Sequence, residues 1–152
     1  MSNTKSIRYG WIIIVLMGSG LIALLISSTR AELARNPSRQ AMADMDRYGF
    51  ITVSLETDPY PARPTGMVGL SFMLMNSNNV RFMPDSFSYE YGLVGDDQPV
   101  GFGTAMPMAD GSGMLMAGEQ FPYAGKWWLR VYISKDEYQD DVQFTIDVQP
   151  AQ

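Results

Sequence analysis

The sequence predicts a mainly β protein in which a single N-terminal transmembrane helix precedes an immunoglobulin-like antiparallel β-sandwich. No charged residue lies between Arg8 and Arg30, whereas apolar and polar residues alternate over much of the chain after residue 50. Such alternation is typical of strands with one buried face. The predicted divisions are a tail (1–10), a transmembrane helix (11–28), a helical stalk or linker (29–49) and a sandwich domain (50–149).

The apolar segment 11–28 is long enough to cross a bilayer, because about 20 residues at ~1.5 Å rise per residue match a hydrocarbon core of ~30 Å. A cleaved secretory signal is the alternative, since the basic residue Arg8 precedes the segment and Thr29-Arg30-Ala31 has the small-x-small pattern of a cleavage site. The length of the apolar run, and an arginine inside the site, favour the transmembrane helix.

Small residues recur every four positions within this segment, at Ser19, Ala23 and Ser27. They would line one helix face and allow close packing against another helix in the membrane, although small residues are also common in spanning helices generally. Basic residues flank both ends of the segment, so charge alone leaves its orientation open. Membrane lipid is one expected partner.

The residues after the apolar segment predict a short helix. Asn36 and Pro37 have the pattern of an N-cap followed by a first-turn proline, and Gly49 would end a helix that runs through Arg47. Residues Ala41, Met42, Met45 and Tyr48 would share one face of that helix.

From residue 50 onward the pattern is that of strands. Alternation is clear over 51–55, 68–74, 87–93, 127–133 and 142–148, and weaker over 100–106 and 114–117. Turn residues separate these segments, as at Asn76-Ser77-Asn78-Asn79 and Asp110-Gly111-Ser112-Gly113. About seven short strands without intervening helices favour two packed antiparallel sheets. Trp127 would anchor their core without a disulfide.

Composition excludes several classes of function. The chain contains no cysteine and no histidine, which excludes thiolate nucleophiles, Ser-His-Asp triads, disulfide frameworks and the usual zinc sites. No pair of carboxylate, lysine or tyrosine residues forms a catalytic motif, so the protein is expected not to be an enzyme. Residues 50–152 carry five basic and thirteen acidic side chains, a net charge of −8, which disfavours nucleic acid as a partner.

Methionine is the unusual component, with twelve in the chain. Six of them form three pairs with one residue between the members, namely Met73 and Met75, Met106 and Met108, and Met114 and Met116. Side chains two apart on a strand point the same way, so each pair presents two thioethers on one face. Thioether sulfur is a soft ligand that selects copper(I), although methionine also packs in cores and at adaptable interfaces. The candidate copper(I) ligands are Met106, Met108, Met73 and Met75. Further paired or intervening methionines are Met114, Met116 and Met83.

A second candidate surface lies on the polar-facing side of the strand at 127–133. Trp128, Arg130 and Tyr132 share that side, and aromatic and arginine side chains dominate the energetics of many interfaces. A cross-strand aromatic pair on a solvated face is the alternative. No cofactor is expected unless the methionines hold copper(I).

Several motifs resemble those of the YtkA-like domain family. They are a proline-containing segment before the second strand, the Met106-Pro107-Met108 turn, and Phe121-Pro122-Tyr123-Ala124-Gly125-Lys126-Trp127 leading into Leu129-Arg130-Val131. With the apolar segment included, the chain is similar to FixH-type single-span proteins. The resemblance covers residues 50–149.

The resemblance implies an immunoglobulin-like sandwich related to CopC-type copper-resistance domains, held outside the cytoplasm by an anchor in the cytoplasmic membrane. It also implies copper handling beside haem–copper oxidases or other respiratory complexes. The chain departs from copper-binding relatives in lacking histidine, which argues against copper(II) and leaves Met106 and Met108 as the matching candidates.

Three functions are therefore expected, in order. The first is a non-catalytic accessory subunit or assembly factor of a respiratory or electron-transfer membrane complex, whose other subunits are the partners. The second is a methionine-based copper(I) carrier, and the third is an anchored adhesion or ligand-binding module.

Overall fold

The computed structural model describes residues 37–151, which form two antiparallel sheets. The elements are β1 (Arg39–Asp44), a 3-10 helix (Asp46–Tyr48), β2 (Phe50–Asp58), β3 (Val68–Asn76), β4 (Ser86–Leu93), β5 (Gly101–Thr104), β6 (Met106–Pro107), β7 (Leu115–Glu119), β8 (Gly125–Lys135) and β9 (Tyr138–Val148). One sheet has the order β1-β2-β3-β7-β6 and the other β5-β4-β8-β9. The predicted mainly β, antiparallel architecture is confirmed.

Both sheets contribute buried side chains to one core. On β2, Ile51, Val53 and Leu55 are buried and alternate with solvent-facing residues, as their spacing predicts. The ring of Phe72, in the five-stranded sheet, lies 4.8 Å from that of Phe87 in the four-stranded sheet, measured between centroids. Contacts of this kind place the two sheets face to face as a sandwich.

Trp127 occupies the core as predicted. Its side chain is fully buried, its ring packs against those of Phe121 and Tyr123, and its Nε1–H donates to the backbone oxygen of Tyr123 at 3.2 Å. Burial of an indole with its polar atom satisfied stabilises the sandwich without a disulfide.

The predicted helix over residues 36–47 is wrong, because Arg39–Asp44 is strand β1. Six consecutive residues pair with β2, from Arg39 opposite Leu55 to Asp44 opposite Phe50. Intrinsic helix propensity is weak compared with a ladder of backbone hydrogen bonds and a buried face. Accordingly Met45, which follows the strand, is fully buried and Met42 is 70% exposed, although the helical pattern placed them on one face.

The sandwich therefore begins earlier than residue 50. The compact unit that contains it starts at Ser38. Gly49 does end a helix, but it is the short 3-10 helix Asp46–Tyr48 in the turn between β1 and β2. Its φ of 72° is a conformation that favours glycine.

The predicted transmembrane helix (11–28) and its packing residues Ser19, Ala23 and Ser27 lie outside the described residues. Within 37–151, no helix has the length and apolar character required to cross a membrane.

Candidate functional site

Most methionines of residues 37–151 lie on the outward face of the five-stranded sheet. On β3, Met73 and Met75 alternate with the buried residues Phe72 and Leu74, so their side chains point away from the core, as predicted. We call this surface the methionine face. It consists of Met42, Met67, Met73, Met75, Met83, Met106, Met108, Met114 and Met116.

The register of β7 brings methionines from β6 and β7 together. Met116 lies opposite Ser71 of β3 on one side and opposite Met106 of β6 on the other. Residues directly opposite one another share a face of the sheet. The ladder continues where the Met108 N–H donates to the Met114 oxygen at 2.9 Å.

The segment after β3 adds Met83 to the same face. Met75 pairs with Arg81, so Arg81 points outward, the next residue Phe82 is buried, and Met83 points outward again. The Met83 Sδ lies 3.7 Å from the position that a Cβ at Gly113 would occupy. This segment therefore lies between the end of β3 and the residues that lead into β7.

Two more methionines extend the face at its margins. Met42 lies opposite Thr52 of β2, on the outward side of β1. The Met67 Sδ lies 3.2 Å from the position that a Cβ at Gly118 would occupy, so it covers the outward side of β7. The sequence analysis missed both, since Met42 was placed in a helix and Met67 has no partner two residues away.

The four predicted copper(I) ligands share this face but do not form one contiguous group. Met73 and Met75 lie on β3 and Met106 and Met108 lie on or beside β6, and β7 separates those strands. Continuing the Met75–Arg81 pairing by two residues places Met73 opposite Met83. Neighbouring positions at the centre of the face are thus held by Met73, Met83, Met108 and Met114, which we call the central methionines.

The donor chemistry of this face suits a soft cation. Neighbouring strands are about 4.8 Å apart, so flexible thioethers on adjacent strands can converge on one ion. The chain offers no imidazole or thiolate, and within residues 37–151 no group of three or more carboxylates has the spacing of a metal site. The residues fit copper(I) and do not fit copper(II), which prefers nitrogen and oxygen ligands.

Polar groups frame one end of the face. The Ser112 N–H donates to the Asp110 Oδ1 at 2.8 Å, and hydrogen bonds from Ser112 together with the charge of Arg81 hold the pKa of Asp110 below its usual value. Arg81 also donates to the Gly111 oxygen at 3.4 Å. The ionised Asp110 offsets the positive charge of Arg81, which would otherwise repel a cation.

The predicted partner-contact residues lie on the outward face of the four-stranded sheet. Arg130 lies 3.5 Å from Glu90 and stacks 5.7 Å above the Trp128 ring. The Tyr132 hydroxyl donates to the Glu90 Oε1 at 2.6 Å, which raises the pKa of Tyr132. The three predicted side chains are therefore neighbours, and their contact with a partner stays a prediction.

Trp128 is less accessible than the alternation implied. It is only 8% exposed, because its indole packs on Gly92 and its Nε1–H donates to the Asp96 oxygen at 2.9 Å. Arg130 and Tyr132 remain half-buried and are the accessible part of this patch.

A polar cluster between the sheets was not predicted. The hydroxyls of Tyr89 and Tyr91 donate to the two carboxylate oxygens of Glu119, at 2.6 and 3.0 Å. Burial, reinforced by the hydrogen bond to Glu119, raises the pKa of Tyr91 to about 12 and raises that of Tyr89 as well. The Gly101-x-Gly103 pattern was the available signal, because any side chain at either glycine would overlap a tyrosine hydroxyl.

Comparison with known proteins bears on the fold. No family model and no curated protein matches the sequence. Among solved structures, the chain is similar to a copper-bound variant of FetP from uropathogenic Escherichia coli, with 13% identity and a TM-score of 0.52 over 74% of this chain and 95% of FetP. A second structure, of FetP as isolated after production in the bacterial periplasm, gives 14% identity and a TM-score of 0.51 over 74% and 93% of the two chains. At this identity the likeness supports the β-sandwich fold alone.

Proposed function

We propose that this protein is a non-catalytic, extracytoplasmic module that holds copper(I) through methionine thioethers and serves a respiratory or electron-transfer membrane complex as an accessory subunit or assembly factor. The observation that carries the proposal is the convergence of methionines from separate strands on one sheet face. Residues 11–28 would tether the domain to the cytoplasmic membrane, with its carboxyl-terminal sandwich outside.

Three features support copper(I) as the ligand. The central methionines come from β3 and from the segments around residues 83, 108 and 114, so their proximity depends on the fold rather than on sequence adjacency. The chain has no histidine to favour copper(II). A variant of FetP, to which the chain is similar in fold, has a copper-bound structure.

Competition for copper(I) against a chromophoric chelator tests the proposal on the full chain in detergent. A variant with Met73→Leu, Met83→Leu and Met114→Leu is expected to lose at least about tenfold in affinity, because leucine keeps volume and removes the sulfur. The matched control changes Met42 and Met67 to leucine at the margins and should bind as the parent does. Equal, weak binding by all three proteins would eliminate a methionine copper site.

The pH dependence of this affinity separates thioethers from other ligands. Imidazole, thiolate and carboxylate ligands must lose a proton to bind a metal, which makes their affinity fall in acid. Thioethers carry no such proton, so copper(I) affinity should stay flat between about pH 3.5 and pH 7, a range that includes the ordinary carboxylate pKa values of about 4. A steep fall towards acid pH would indicate carboxylate ligation instead.

Docking without metal is the second candidate function. The side chains of Met42, Met67 and Met106 are 70%, 67% and 68% exposed. Methionine-rich surfaces of this kind adapt to partners. Co-purification in mild detergent with haem-bearing subunits at fixed stoichiometry, undiminished by the leucine substitutions, would favour this role. A chain that binds neither copper(I) nor such subunits would point to the adhesion or ligand-binding alternative.

A further inference from the structure

Strand β5 is the sheet edge with the least protection against pairing. The edge strand β9 carries three aspartates, and β1 lies against it where the Asp44 N–H donates to Asp140. The edge strand β6 is only two residues long and contains Pro107. Charges, proline and short length are the usual devices that block edge-to-edge association. By contrast, residues 98–109, which include β5, contain no charged residue.

The side chains of β5 contribute almost nothing to the core. Its inward positions are Gly101 and Gly103, which leave space for the hydroxyls of Tyr91 and Tyr89. Its outward residue Phe102 is 86% exposed. A phenylalanine this exposed on an uncharged strand has no role in the packing of the residues that the structure describes.

Backbone groups on the free side of β5 are available for pairing. Ladder hydrogen bonds alternate along an antiparallel strand. The Ala105 N–H donates to the Phe87 oxygen of β4. Because the bonds alternate, the backbone N–H and C=O groups of Gly103 also point towards β4. The same groups of Phe102 and Thr104 point away from β4, towards the free edge. The Val100 N–H donates to the backbone oxygen of Tyr91 and is not available at the free edge.

A hollow lies beside these residues on the outward face of the four-stranded sheet. It has a volume of about 380 Å³, and Phe102, Thr104 and Tyr132 form part of its wall, with Ser88 and Glu90. Thr104, Ser88 and Tyr132 stand directly opposite one another on adjacent strands.

We propose that β5 of a second copy of this chain pairs antiparallel with β5, with Phe102 of each copy opposite Thr104 of the other. This register uses both outward-facing residues of each strand and forms four backbone hydrogen bonds around a two-fold axis between the Gly103 residues. It also sets each Phe102 ring beside the hollow of the partner copy, since Thr104 lines that hollow.

The shape of the edge favours a second copy over a foreign strand, because each copy offers both an exposed Phe102 and a hollow beside Thr104, and the two-fold register brings one to the other. Residues 50–152 have a net charge of −8, so two such domains repel one another over most of their surface. The uncharged stretch 98–109 is where two copies approach with the least local repulsion. The proposal is independent of copper(I) binding, because β5 belongs to the other sheet from the methionine face.

Cysteine cross-linking tests the pairing, because the chain has no cysteine of its own. In the proposed register the two Thr104 residues are diagonal neighbours about 7–8 Å apart. The purified full chain in detergent with Thr104→Cys should therefore be joined efficiently by a bis-maleimide of that span. The matched control, Thr145→Cys, places the thiol on the same sheet face of β9 and should cross-link at least about tenfold less.

Adding Phe102→Lys to the Thr104→Cys variant should abolish cross-linking while the far-ultraviolet circular dichroism spectrum stays unchanged, because Phe102 is exposed within one copy. Equal cross-linking at both cysteine positions, or its survival with Phe102→Lys, would overturn the proposal. A Thr104→Cys thiol that fails to react with a monofunctional maleimide would also overturn it, since the edge would then be covered by the chain's own residues.

Discussion

Replacing Gly92 with alanine should destabilise the sandwich by about 3 kcal/mol. A Cβ at this position would lie 2.5 Å from Cζ2 of Trp128 and 2.8 Å from the backbone oxygen of Gln98. The indole must move, which costs about 1 kcal/mol for the lost hydrogen bond to Asp96 and about 1–3 kcal/mol for overpacking. For a domain of this size the melting temperature should fall by about 10 °C.

Thermal unfolding of the full chain, followed by near-ultraviolet circular dichroism and tryptophan fluorescence, measures this effect. Gly66→Ala is the matched control, because an added Cβ there meets no atom within 4 Å, and it should change stability by no more than about 0.5 kcal/mol. A Gly92→Ala variant that unfolds within about 1 kcal/mol of the parent, with unshifted tryptophan emission, would refute the close packing of Trp128 on Gly92.

Three further outcomes are expected. Burial raises the pKa of Tyr91 from 10.0 to about 12, so the contribution of its protonated hydroxyl to stability should be complete below pH 10 and be lost as pH rises to about 12. Alkaline unfolding followed by phenolate absorbance measures this loss. The Glu119→Gln variant should lose the contribution at lower pH, because the carboxylate that helps to raise the pKa of Tyr91 is gone. Met45→Ala should lower the free energy of unfolding by about 2–5 kcal/mol, and Met42→Ala by less than about 0.5 kcal/mol, as measured by chemical denaturation. Equal losses would contradict the assignment of residues 39–44 to a strand, which leaves Met42 exposed and Met45 buried. If Tyr132 contacts a partner, Tyr132→Ala should reduce co-purification of haem-bearing subunits, and unchanged recovery would remove it from the interface.

The strands were predictable because their faces have unequal environments. Residues such as Ile51, Val53 and Leu55 alternate with polar ones, and the period of two needs no knowledge of neighbouring strands. The segment 39–44 was not predictable in this way, since Ala41, Met42 and Ala43 suit a helix as well as a strand. Pairing with β2 decided between them, and pairing is a non-local property.

The candidate site was predictable only in part for the same reason. The spacing of Met73 and Met75 correctly indicates one outward pair on one strand. Which pairs are adjacent depends on strand order, and the order β3-β7-β6 places Met116 between the two predicted pairs. Likewise the alternation around Trp128 indicates its outward direction but not the cover supplied by the residues around Asp96.

X-ray absorption spectroscopy of the full chain loaded with one equivalent of copper(I) tests the central claim most directly. Ligation by the central methionines predicts a coordination shell of sulfur atoms alone, about three in number, which the variant with leucine at Met73, Met83 and Met114 cannot form. A shell dominated by nitrogen or oxygen, or a spectrum unchanged in that variant, would contradict the assignment of the methionine face as a copper(I) site.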